Sequence, residues 1–191
     1  MLVLALAINA IMFVVEVAAG FVAGSLSLQA DALDFLGDAG NYALTLFVLG
    51  MTLKTRATAA LVKGATMVVL GVFVLVQGVV HAITGAVPHA EIMGGTALLA
   101  LVANAAVAGM LYRYRDGDSN ARSVWLCSRN DVLANLAVLL AASAVFALGS
   151  RWPDLAVAAF IASLALTSGW QVVQGAVRER SSCDRSKVHG P

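Results

Sequence analysis

Residues 31–41 read Asp31-Ala32-Leu33-Asp34-Phe35-Leu36-Gly37-Asp38-Ala39-Gly40-Asn41, inside a span that the reading sets at 28–51. Asp34 and Asp38 lie one helical turn apart on one face, and Asp31 and Asn41 extend the same stripe. An Asp at the centre of a membrane helix costs on the order of 2.5–3.5 kcal/mol to insert. Such residues therefore face a cavity, a partner or a substrate. Two carboxylates at this spacing repel if both are ionised with nothing between them. Either a proton sits on one or a cation sits between the two.

The rest of the chain makes lipid the relevant solvent. Of 191 residues, 60% are hydrophobic and 12% charged, and mean hydropathy is +0.87. A soluble domain is usually about one quarter charged, and this chain cannot cover a polar surface. The charges are clustered, and the apolar runs between them are long enough to cross about 30 Å of hydrocarbon at 1.5 Å per residue. A soluble enzyme and a nucleic-acid-binding domain are excluded. A net charge of +1 gives no case for a polyanionic partner. Cys127 and Cys183 lie in very different settings, so no disulfide framework is implied.

Six helical spans are predicted, at 2–24, 28–51, 59–83, 92–112, 124–148 and 154–176, giving an all-α integral membrane bundle. The first has no basic residue ahead of it and is too long for a signal-peptide core, so it is read as a retained helix. Strict alternation over ten-residue segments is absent, which argues against an outer-membrane barrel. Gly20 and Gly24, four apart, suggest close helix contact. Residues 1–178 form the membrane domain. Residues 179–191 read as a short polar cytoplasmic tail, too short to fold alone and expected to be disordered, with Cys183 and His189 solvated in it.

Basic residues orient the chain. Lys54, Arg56 and Lys63 flank the 2–3 connection, Arg113, Arg115 and Arg122 the 4–5 connection, and Arg178, Arg180, Arg185 and Lys187 follow span six. That is ten of twelve, and the opposite side holds only Arg151, with Arg129 inside span five. By the positive-inside rule both termini are cytoplasmic. The 1–2, 3–4 and 5–6 connections are then outside, carrying His89, Glu91, Trp152, Pro153 and Asp154.

Span five supplies a second spaced pair, Cys127 and Asp131. Spans two and five run antiparallel, with Asp34 about six residues from one edge and Asp131 about nine from the other, which puts both near mid-membrane. If the two faces meet, Asp34, Asp38, Cys127 and Asp131 offer four O/O/S/O ligands to one divalent transition metal, and the thiolate favours zinc or a softer ion. A lone Cys in a membrane helix is more often a small apolar filler. Three mid-membrane aspartates without a matching basic cluster are harder to dismiss, the other readings being a proton-only relay or a hydrogen-bond network. Asn9 and Glu16 share a face of span one. Glu16 is read as a gate or proton acceptor, or as a partner of Arg129 or of hydroxyls. His81 reads as interfacial. No Ser/His or His-x-x-x-His cluster lies within the spans, so a membrane enzyme is not expected. A channel or a non-transporting structural bundle would share the same composition.

The stretches Glu16-x-x-x-Gly20 and Gly24-Ser25-Leu26-Ser27-Leu28-Gln29-Ala30-Asp31-Ala32-Leu33-Asp34-x-x-x-Asp38 resemble spans one and two of the cation diffusion facilitator family. Asn104, then Asp131-Val132-Leu133-Ala134-Asn135-Leu136-Ala137-Val138, Trp152-Pro153-Asp154 and Gly169-Trp170 continue the likeness in order along nearly the whole chain. The resemblance implies a multi-pass, proton-coupled exporter of divalent metal in the plasma membrane, usually a homodimer. Its site would comprise Asp34, Asp38, Cys127 and Asp131. The transported substrate would be Zn2+, with Cd2+, Co2+, Fe2+ and Mn2+ as other candidates, and no organic cofactor or nucleic acid is implied. The first member of the family's span-five pair is most often His or Asp, so Cys127 shifts the preference toward cadmium and away from manganese. The family's cytoplasmic C-terminal domain has no counterpart here, and Thr52–Arg56 has no His or acid for a secondary metal site. Dimerisation would then rest on the membrane helices.

Overall fold

The computed structural model describes the backbone of residues 1–48, 50–112 and 119–188, and the side chains of these except 45, 48, 53, 119–130 and 181–188. Six α-helices follow in order: α1 Leu2–Ala23, α2 Leu26–Ala43, α3 Leu53–Thr84, α4 Ala90–Leu111, α5 Ser119–Leu148 and α6 Trp152–Val188. Leu44–Val48 prolongs α2 as a short π-helical stretch. No strand occurs among the described residues.

Every helix but α2 contains a stretch long and apolar enough to cross a membrane. Those stretches bury a third or less of their residues inside the protein. Their outer faces carry Ile11, Val14, Phe73, Leu140 and Phe160, all exposed. An apolar exterior of this kind suits hydrocarbon rather than water. The exception, α2, packs against all five other helices. Thirteen of its eighteen residues are buried, so most of its polar groups, Asp31 and Asp38 among them, meet protein and not lipid. This is why a helix with three aspartates is tolerated in the bundle. Around it Leu26, Leu28, Leu33, Met93, Val138 and Ile161 form the main apolar core.

Close approach depends on small residues where α3 crosses α6. A Cβ on Gly64 would lie 2.9 Å from the Gly169 carbonyl oxygen, and one on Gly169 would lie 3.1 Å from that of Gly64. Of the pair noted in the sequence, Gly20 does make a tight contact, its Cβ position being 2.8 Å from Gln29 Cγ. Gly24 plays another part. It ends α1 at φ 64°, the left-handed conformation that glycine adopts without strain.

Ser25 then opens α2 as its N-cap, accepting from the Leu28 amide. The free amides of this helix end are met by Asp154, from the first turn of α6. Its Oδ1 accepts from Ser25 Oγ at 2.7 Å, Ser27 N at 3.0 Å and Ser27 Oγ at 2.6 Å, and its Oδ2 from Leu26 N at 2.9 Å. A carboxylate here also complements the positive end of the helix dipole. At the entry to span six, where the sequence reading puts it, Asp154 is 1% exposed and fastens α6 to α2. At the same end, the His89 amide donates to Ala23 O at 2.9 Å. Arg151 donates to the carbonyls of Gly85 and Ala82. The three short connections thus meet at one end of the bundle, as the alternating topology requires.

Several helix boundaries differ from the predicted spans, two of them at basic segments. α3 begins at Leu53, capped by Thr52, so Lys54 and Arg56 are in its first turn. α6 continues to Val188 where a disordered tail was expected. Residues 176–189 contain neither Gly nor Pro, so nothing in the chain stops the helix there. The 178/179 division therefore falls inside a helix.

Replacing Asp154 by Ala leaves four donors in a closed site, and should cost about 3 kcal/mol of unfolding free energy, with Asp154→Asn costing less. Denaturation of the purified protein by SDS titration measures this; a loss of under about 1 kcal/mol would mean that the tie does not hold α2.

Candidate functional site

The acidic stripe of α2 lies inside the bundle, and different helices serve it at different heights. Asp38 is buried and Asp34 half-buried. Opposite them α5 presents Asp131, buried at 5% exposure. The Asp131 carboxyl lies within interaction range of those of Asp34 and Asp38. Its Oδ2 has no hydrogen-bond partner among the described residues. Three of the four residues proposed from spacing are therefore brought together by the antiparallel meeting of α2 and α5. The fourth, Cys127, has its backbone in α5 one turn before Asp131, and its side chain lies outside the described residues, as does that of Arg129.

Among the described residues, no group of three or more His, Cys, Asp or Glu has the spacing of a metal site. The three carboxyls lie close to one another. Around an ion, oxygens would instead converge at about 2.0–2.2 Å from a shared centre.

Asp31 behaves differently from the rest of the stripe. Seven residues before Asp38, it stands about 10 Å further along the axis, where α1 supplies Glu16. Asp31 and Glu16 are each 0% exposed. Their carboxyls lie close to one another in the interior. None of the four oxygens has a hydrogen-bond partner among the described residues. Glu16 thus faces an acid of α2, a pairing that sequence spacing does not reveal because nothing in α1 indicates its register against α2. A line of acids runs Glu16, Asp31, Asp34, Asp131, Asp38 through the interior. Two bare carboxylates in such a place repel, and a proton or a cation between them removes the conflict.

Buried amides flank the line. Asn9 donates from Nδ2 to Ala5 O at 2.8 Å, and Asn135 from Nδ2 to Asp131 O at 3.0 Å. Both leave the side-chain carbonyl oxygen without a donor. Asn104 of α4 is buried as well. Asn9 was noted for sharing a face with Glu16; Asn135, one turn after Asp131, was legible only through the family likeness. At the far end of the stripe, the Lys63 ammonium donates to the Asn41 side-chain oxygen.

The family model described as Cation efflux transmembrane domain matches residues 2–179. The cadmium, cobalt and zinc/H(+)-K(+) antiporter of Bacillus subtilis (strain 168) is 23% identical over 180 residues, which is 86% of this chain and 57% of the relative. Zinc transporter ZitB of Escherichia coli (strain K12) is 24% identical over 188 residues, covering 92% and 60%. Zinc transporter ZitB of Yersinia pestis is 26% identical over 195 residues, covering 93% and 61%. The chain spans about three fifths of the length of these curated relatives.

If Glu16 and Asp31 lack any other donor, Glu16→Gln should be neutral or slightly stabilising, since its amide can donate to Asp31. Glu16→Ala opens a cavity beside a stranded carboxyl and should cost about 2 kcal/mol. Equal losses for the two variants in SDS denaturation would show that the pairing does not exist.

Proposed function

Because the chain belongs to the cation efflux family, we propose that it exports divalent transition-metal ions, Zn2+ foremost, from the cytoplasm in exchange for protons. The observation that carries this reading is the meeting of Asp34, Asp38 and Asp131 inside a helix bundle whose outer face is apolar. Three acids from two helices, screened from lipid, make a place where a multivalent cation gains more than it loses on leaving water. The cargo is held by Asp34 and Asp38 from α2 and by Cys127 and Asp131 from α5. Binding requires the carboxyls to open from one another around the ion, with the Cys127 thiolate completing a four-ligand set.

Protons and metal compete for the same side chains. At the cytoplasmic pH the ion displaces protons and loads; facing a more acidic exterior, the carboxyls take protons and release it. Rocking of the helices about a midplane site supplies alternating access. Binding should therefore weaken as pH falls, about ten-fold per unit for each proton displaced. The names of the relatives, which include zinc, cadmium, cobalt and H(+), support both the class of cargo and the exchange. The basic residues support cytoplasmic termini, a location in the plasma membrane follows from the export role, and the protein works as a homodimer joined through its membrane helices.

In proteoliposomes with an imposed pH gradient, Asp38→Ala and Asp131→Ala should abolish zinc-driven proton movement while the protein still inserts. Wild-type exchange in either variant would remove that residue from the site. Cys127→Ser should lower the cadmium-to-zinc uptake ratio several-fold with little change in expression; an unaltered ratio returns Cys127 to the role of filler.

A further inference from the structure

Lys63 stands about three turns into α3, well away from the helix end that basic residues normally favour. Its stem lies over Gly40 of α2, where an added Cβ would come within 3.0 Å of Lys63 Cδ. Its ammonium donates to Oδ1 of Asn41. Asn41 follows Asp38 by three residues, so the two are neighbours on the surface of α2. Stem and head are thus both held by α2, and the charge is kept about one helical turn from Asp38. Among the described residues of α2 and α5, the acids on that side are Asp38 and Asp34, with Asp131 behind them. The α6 positions packed beside Gly64 are Gly169, Val172 and Val173, all uncharged.

We propose that Lys63 is a tethered counter-cation of the Asp34–Asp38–Asp131 cluster, and that its fixed positive charge sets how tightly the cluster holds a divalent ion. The inference rests on the transport reading above and adds a determinant of affinity that is not itself a ligand. A divalent ion entering the cluster is repelled by the nearby ammonium, so it binds less tightly than three carboxylates alone would hold it. The same repulsion speeds its departure. When the ion has gone, the ammonium remains to offset part of the negative charge left behind. A carrier needs both effects, since cargo held too firmly is not released.

The test uses the full chain in detergent, with Zn2+ and Cd2+ titrated calorimetrically at one fixed pH, and efflux rates from proteoliposomes. Lys63→Gln should tighten Kd for both ions roughly ten-fold and slow turnover at saturating metal. Lys63→Arg keeps the charge and should retain the wild-type Kd to within two-fold or so. Asn41→Ala, which removes one hydrogen bond that positions the ammonium, should shift Kd in the same direction as Lys63→Gln but less. The inference is overturned if wild-type protein binds metal and Lys63→Gln leaves Kd unchanged or weakens it. It is equally overturned if Lys63→Arg behaves like Lys63→Gln, since size and not charge would then matter. Absence of metal binding by the wild-type chain itself would instead bring down the transport reading, and this inference with it.

Discussion

The enclosure of α2 by five apolar helices is the constraint on which the remaining structure depends. In hydrocarbon an acidic side chain needs a partner, and a helix exposed to lipid has none to offer. α2 escapes that penalty by touching every other helix. The outer helices are then free to be almost wholly apolar, while α2 carries Asp31, Asp34 and Asp38 through the interior. The division of labour extends to packing. Glycines let α3 and α6 cross closely at Gly64 and Gly169, and the side-chain bulk of Leu26, Leu28, Phe35 and Met93 is kept for the centre.

Enclosure alone does not position the acids, and register along α2 is set from its start. Gly24 turns the chain, Ser25 caps the helix, and Asp154 engages the amides of Leu26 and Ser27. From that anchored end the helical repeat places Asp31 at the level of Glu16, and Asp34 and Asp38 at the level of Asp131. A shift of one residue would turn the stripe by about 100° and point the acids at apolar neighbours. The four hydrogen bonds to Asp154 are therefore remote from the acids yet decide where they stand.

Much of this was legible from residue spacing. Six helices and their alternating course follow from apolar run length, and the shared face of Asp34 and Asp38 from the i, i+4 repeat, whereas the approach of Asp131 depends on how α5 packs against α2. The misreadings have physical causes. The part Asp154 plays was not legible, because its partners, Ser25 to Ser27, are more than 125 positions away in sequence. Glu16 and Asp31 belong to different helices, and spacing within one helix says nothing about register against another. The segment after 176 was read from its polarity as disordered, although it lacks the residues that end a helix. The Lys63 side chain was counted as a marker of orientation, and only the packing of α2 against α3 reveals its neighbours. Cys127 was chosen by its distance from Asp131, and its side chain lies outside the described residues.

The fastening of Asp154 to the start of α2 has a mechanical corollary. One tip of α2 is clamped to α6 by a buried carboxylate, whereas the other runs on into the π-helical turn Leu44–Val48. A π-helical turn is wider and less regularly bonded than an α-helical one, and yields more readily. A rod gripped at one tip swings furthest at the other, so any tilting of α2 displaces Asp31 least, Asp38 more, and the backbone of Leu44–Val48 most of all.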